Sequence, residues 1–182
     1  MKRLVISAIL VLITSLLNAQ VKTLNPRVGS SNTHAEILFV VVGENGTLVG
    51  FNFYSMYIRG VEWVSFSSST TLNYTDPHTM QRVSVSATEI RRGEKALPSN
   101  FNQKYRVTDF GTLPAQPVFW ITFGKIPPGV SSISVSENVF MGFQWNDIEI
   151  TPWTINVCPS LEVDTEEEII GMISKIRCLQ PE

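Results

Sequence analysis

A chain of 182 residues, 43% hydrophobic and 16% charged, can bury one substantial core without a disulfide framework and is too apolar for intrinsic disorder. With 14 Lys+Arg against 16 Asp+Glu and no basic run, it has no general grip on nucleic acid.

Lys2 and Arg3 precede an apolar stretch from Leu4 to Leu17, broken only by Ser7, Thr14 and Ser15 and followed by Asn18, Ala19 and Gln20. A charged start, an apolar run shorter than the roughly 20 residues of a membrane-spanning helix, and a small residue at the boundary form the signature of a secretory signal peptide. Residues 1–19 are therefore expected to be removed after Ala19. Loss of Lys2 and Arg3 leaves 12 basic against 16 acidic side chains, a net charge of −4. The chain is then an exported protein (periplasmic, outer-surface or extracellular) with no membrane span.

Residues 20–35 are polar, with Pro26, Gly29 and the cluster Ser30-Ser31-Asn32-Thr33, and read as a flexible leader. From 36 to 157 the pattern changes to short β-branched and aromatic runs separated by turn residues, the mark of a β domain. Ile37–Val42 is continuously apolar, as in a strand buried on both faces. Glu44-Asn45-Gly46 supplies a tight turn, and Val49, Phe51 and Phe53 then alternate with Gly50, Asn52 and Tyr54, which completes a hairpin. Trp63–Phe66, Thr70–Tyr74 and Arg82–Ile90 continue the series. In the last, Val83, Val85 and Ala87 oppose Ser84, Ser86 and Thr88. Residues 92–116 are irregular, with Lys104–Val107 as a short strand. Phe119, Ile121 and Phe123 then alternate with Trp120 and Thr122, so Trp120 is either buried on a second face or displayed. Met141, Phe143 and Trp145 alternate before the apolar phase flips to Ile148 and Ile150. A flip at Asn146-Asp147 implies a β-bulge, because one extra residue exchanges the two faces.

The tail, 158–182, differs in kind. Thr165-Glu166-Glu167-Glu168 places a capping residue and acidic groups at a helix start, and Ile169, Ile173 and Ile176 fall on one helical stripe. An amphipathic α-helix packed on the β domain is expected. Cys158 and Cys178 are the only cysteines. Export permits a disulfide between them, worth roughly 3 kcal/mol for a loop of about 20 residues, against the alternative of two free thiols.

The succession Val118–Phe123, Ile126-Pro127-Pro128-Gly129, Ile133–Glu137 and Phe143–Ile150 resembles the C-terminal strands of exported bacterial immunoglobulin-like β-sandwich domains of the telokin-like kind. The resemblance is firmest over 117–150 and extends loosely over 37–150. It implies an antiparallel immunoglobulin-like sandwich and an accessory or adhesion-type role without a shared catalytic site. The chain departs from that pattern in its added C-terminal helix and in lacking an Asp-x-x-Gly turn before Tyr105.

Motifs for chemistry are sparse. His34 and His78 have no partner at metal-ligand spacing, and there is no Gly-x-Ser-x-Gly elbow or phosphate-cradling glycine loop. Asp147 and Glu149 share a strand face, but two carboxylates fall short of the six to eight oxygens calcium takes. No cofactor or metal is expected, and an enzyme is the minority reading. Aromatic residues are the better lead: Tyr54, Tyr57, Trp63, Trp120 and Trp145 are candidate ligand-binding residues if displayed. The expected function is a non-catalytic module that binds a protein of the cell envelope or surface. The alternative is a carbohydrate-binding module with Trp and Tyr platforms.

Overall fold

The structure, a computed structural model, describes residues 21–33, 35–53, 63–92, 97–106, 118–140 and 142–151. Every regular element among them is a β-strand: β1 (Val21–Leu24), β2 (Val28–Ser31), β3 (Ala35–Gly43), β4 (Gly46–Phe53), β5 (Trp63–Val64), β6 (Thr70–Thr75), β7 (Arg82–Arg92), β8 (Leu97–Ser99), β9 (Tyr105–Arg106), β10 (Val118–Phe123), β11 (Ser132–Glu137) and β12 (Gln144–Glu149). Nine of them form one antiparallel path, β1-β3-β4-β10-β7-β6-β11-β12-β2, with β8 added beside β7 and a separate β5–β9 ladder. Strands β1 and β2 end that path, yet three residues of chain, Asn25–Arg27, join them. The sheet is therefore curled until its two ends meet.

Apolar alternation explains what the curl encloses. Val49 and Phe51 of β4, Phe119, Ile121 and Phe123 of β10, Leu72 of β6, Ile133 and Val135 of β11, and Trp145 and Ile148 of β12 all enter one core. Phe51 stacks on Phe119 at 5.9 Å and meets the edge of Phe66 at 5.5 Å and the Trp145 ring at 5.2 Å. Such pairs add about 0.5–1.5 kcal/mol each beyond area burial. Strand β7 carries Val83, Val85 and Ala87 half-buried against the core, with serines between them facing out.

Two features follow the sequence closely. The β3–β4 hairpin turns at Glu44-Asn45, and Gly46 takes φ 150°, where an added Cβ would lie 2.5 Å from the Phe123 carbonyl oxygen. On β12, Ile133 faces Ile148 while Val135 faces Trp145, so two steps along β11 match three along β12. The extra residue is the expected bulge. Asp147 adopts φ 53° there, and its N–H turns to the Ser134 hydroxyl at 3.2 Å.

One expectation is corrected. The polar segment read as a flexible leader contributes β1 and β2, paired with β3 and β12 respectively. Val21 and Val28 pack against the main core, and Leu24 against buried residues on the other face. Thr23 ties this end down: its hydroxyl donates to the Thr151 carbonyl at 2.8 Å and accepts from the Thr151 N–H at 3.0 Å. The expected helix, Cys158 and Cys178 lie outside the described residues.

A second buried group, Leu38, Phe39, Val41, Val118 and Trp120, occupies the opposite face of β3, β4 and β10. Both faces of these central strands are apolar, which is why Ile37–Val42 shows no alternation.

Candidate functional site

The β11–β12 hairpin is held by its own polar side chains. The Glu137 carboxylate accepts from the Ser67 N–H at 2.7 Å and from the Phe143 N–H at 3.2 Å, and the Glu137 N–H donates to the Phe143 carbonyl at 2.8 Å. Burial pushes the Glu137 carboxyl above the ordinary carboxylate range, and the two backbone donors only partly offset it. Next to it, the Asn138 amide donates to the Ser69 carbonyl at 3.1 Å and the Thr71 hydroxyl at 3.3 Å. A turn closes between the Gly142 N–H and the Val139 carbonyl at 3.0 Å. These bonds hold up an apolar tip: Phe140 is 95% exposed and Val139 48%. The tip therefore presents an aromatic ring to solvent on a hydrogen-bonded turn.

Asn32, between β2 and β3, joins this tip to a second feature. Its amide donates to the Gly142 carbonyl at 3.0 Å, its carbonyl oxygen accepts from the Gln144 N–H at 2.7 Å, and its N–H donates to the Gln144 carbonyl at 3.2 Å. Beside Asn32 the curled sheet fails to close. Strand β1 pairs with β3 only from Phe39 onward, β2 pairs only with β12, and so residues 35–37 of β3 face β2 without a ladder between them. The gap is a cleft of about 340 Å³, lined by Asn25, Pro26, Val28, Ser31, Ala35, Glu36, Ile37 and Trp145. Asn25, at φ 45°, donates its N–H to the Leu38 carbonyl at 2.8 Å. Thr33 donates its N–H to the Ser31 hydroxyl at 3.1 Å. The Trp145 ring N–H donates to the Ala35 carbonyl at 3.2 Å, so the indole is fixed where it lines the cleft.

Glu36 is the charged side chain among the described lining residues. Burial pushes its carboxyl above the ordinary range, and its Oε2 is buried without a hydrogen-bond partner. Asn52 stands directly opposite on β4, is 6% exposed, and its Oδ1 is likewise buried and unpartnered. Both unpartnered oxygens carry a desolvation cost, and Asn52 lies outside the lining of the cleft.

Of the aromatic candidates, Trp120 and Trp145 have described side chains. Trp120 and Trp145 are 1% and 2% exposed, so neither shows a ring face to solvent. Trp63 starts β5, and Tyr54 and Tyr57 lie outside the described residues. His78 is exposed in the β6–β7 turn, where its N–H and that of Thr79 bind the Asp76 carboxylate at 2.8 and 2.9 Å. Those backbone donors hold Asp76 below its ordinary range. Asp147 and Glu149 are exposed, and among the described residues no group of three or more His, Cys, Asp or Glu could hold a metal ion. Sequence reasoning missed Glu36 and Phe140. The available signals were a lone carboxylate opening an apolar strand and an apolar pair ahead of the β12 alternation.

Comparison with protein-family models, curated proteins and solved structures yields no match for this chain.

Proposed function

We propose that the protein is an exported, non-catalytic accessory or adhesion-type module with an immunoglobulin-like sandwich and a C-terminal helix, and that it binds a protein of the cell envelope or surface. The signal-peptide pattern of residues 1–19 and the strand succession of residues 117–150 support the location and the class. The observation that carries the binding role is the Val139–Phe140 tip, an exposed aromatic on a braced hairpin. Aromatic anchors of this kind dominate the energy of protein contacts, each worth 2 kcal/mol or more at a hot spot, roughly 30-fold in affinity. Burial of Trp120 and Trp145 removes two of the rings that a sugar platform would use.

The test is affinity capture from native envelope extract with wild-type and Phe140→Ser baits. A stoichiometric protein held by the wild type and lost by the variant supports the reading. A protein held equally by both refutes the tip as the contact. Retention of polysaccharide in place of protein would transfer the role to carbohydrate binding.

A further inference from the structure

Resting on the C-terminal helix of that reading, we propose that residues 165–178 dock across the outer face of β1, β3, β4 and β10. The stripe of Ile169, Met172, Ile173 and Ile176 then packs against Phe39, Val41, Leu48 and Trp120.

The register defines this face. Leu24, Phe39, Gly50 and Trp120 form one cross-strand row, with Val41 and Leu48 in the row on one side and Glu36, Asn52 and Val118 in the row on the other. Directly paired residues share a face, so the three rows make one surface, turned away from the main core. Its described apolar residues all belong to a single layer: Leu38, Phe39, Val41, Val118 and Trp120, with Leu24 and Leu48 packed beside them. A single layer leaves its outer face in water, yet Phe39, Val41, Val118 and Trp120 are each at most 2% exposed. On the same face, Glu36 Oε2 and Asn52 Oδ1 are buried with no hydrogen-bond partner, a second mark of removal from water. Covering these strands takes another layer of chain, and none of the described apolar residues packed against the group supplies it.

Three observations select residues 165–178 as that layer. The first is position. Thr151, where the described chain ends, is held to Thr23 of β1 by bonds of 2.8 and 3.0 Å. Strand β1 ends the sheet path and carries Leu24 on this face, so residues 152–182 start at the margin of the surface. The second is length. A helix over 165–178 is about 21 Å long, and four adjacent strands span about 14 Å between their outer axes, so it crosses all four with residues 152–164 as its tether. The third is pattern. The isoleucine stripe needs an apolar surface to cover it, whereas residues 54–62 are fixed at both ends by β4 and β5, and residues 107–117 are interrupted by Gly111, Pro114 and Pro117. The far margin is polar: Arg91, paired with Trp120 in register, bonds Glu89 at 3.0 Å with both side chains half-exposed, so the covered strip ends at β7.

The test measures methyl and aromatic NOEs on the isotope-labelled chain from Gln20 to Glu182. The expected result is contacts from the Val41, Leu48 and Val118 methyls and the Trp120 ring to the Ile169, Ile173 and Ile176 methyls. Contacts to Met56, Ile58 or Leu113 in their place, contacts arising only between differently labelled molecules, or no contact beyond the sheet's own residues would overturn the proposal. Ile173→Asp should also speed amide exchange at Val41 and Trp120 about tenfold or more over Ser174→Asp, which lies off the stripe. Equal exchange in the two folded variants would overturn it as well. The NOE pattern is read on the wild type, so it decides the matter even if Ile173→Asp misfolds. Helical carbon shifts over 165–178 without these contacts would strike the docking and leave the helix standing, and the capture experiment with Phe140→Ser depends on neither.

Discussion

Gly50→Ala tests how tightly the central strands are packed. Gly50 is the cross-strand partner of Phe39, whose ring lies over the glycine in place of a side chain. A Cβ built on Gly50 would sit 2.2, 2.3 and 2.6 Å from Phe39 Cζ, Cε1 and Cε2. Carbon atoms rest at about 3.5–4.0 Å, so the ring would have to retreat by more than about 1 Å. Phe39 is 0% exposed, within a group that includes Leu38, Val41, Val118 and Trp120, so its retreat would displace buried neighbours. Overpacking of this kind costs about 1–3 kcal/mol, and replacing a strand glycine returns about 0.5–1 kcal/mol of chain entropy. Three contacts this short place the cost near the upper end, about 2–3 kcal/mol, so the net loss is about 1–2.5 kcal/mol, which for a domain of this size lowers Tm by about 2–10 °C. Thermal and urea unfolding of Gly50→Ala, Phe39→Leu and the double variant give the cycle. The added methyl should cost less once the ring is gone, with coupling of about 1 kcal/mol. A neutral or stabilising Gly50→Ala, or strictly additive variants, would refute the packing argument.

Two further predictions follow from the site and the bulge. Glu36 and Glu137 are both harder to ionise folded than unfolded. Stability is then highest where both states are protonated, and it falls as pH rises from the ordinary carboxylate range through the raised folded value. Glu36→Gln removes one share of that loss, so its Tm should gain on the wild type as pH goes from about 4 to about 8, and a constant or shrinking gap would contradict the assignment. At the bulge, Asp147 occupies left-handed backbone. Asp147→Gly should be neutral or stabilising by up to about 1 kcal/mol and Asp147→Val destabilising by about 1–2 kcal/mol in urea melts, and equal stability of the two would argue against the bulge geometry.

Features written in local sequence were legible. Asn45-Gly46 marks its turn within four residues, and the phase flip at Asn146-Asp147 marks the bulge because side-chain alternation has a period of two. Strands β1 and β2 were not legible for the opposite reason. Each is only four residues long, and the pairing with β3 residues 39–42 and β12 residues 145–148 leaves no local alternation to read. Trp120 could not be placed from alternation alone, since a strand with two apolar faces and a strand displaying one ring read alike. The cleft was hidden for a topological reason. β2 and β3 are neighbours in sequence, but β2 pairs with β12, and the opening between β2 and β3 depends on that long-range choice. Glu36 then gains its character from burial opposite Asn52, and no spacing rule encodes that.

On the proposed function, the braced Val139–Phe140 tip meets another protein. Replacing Phe140 by the photo-crosslinking analogue p-benzoyl-phenylalanine in cells tests it directly, with the 75%-exposed Met80 of the β6–β7 turn as the matched control position. Ultraviolet irradiation should join position 140, and not position 80, to one discrete protein. No adduct at 140, or the same adducts from both positions, would contradict the claim.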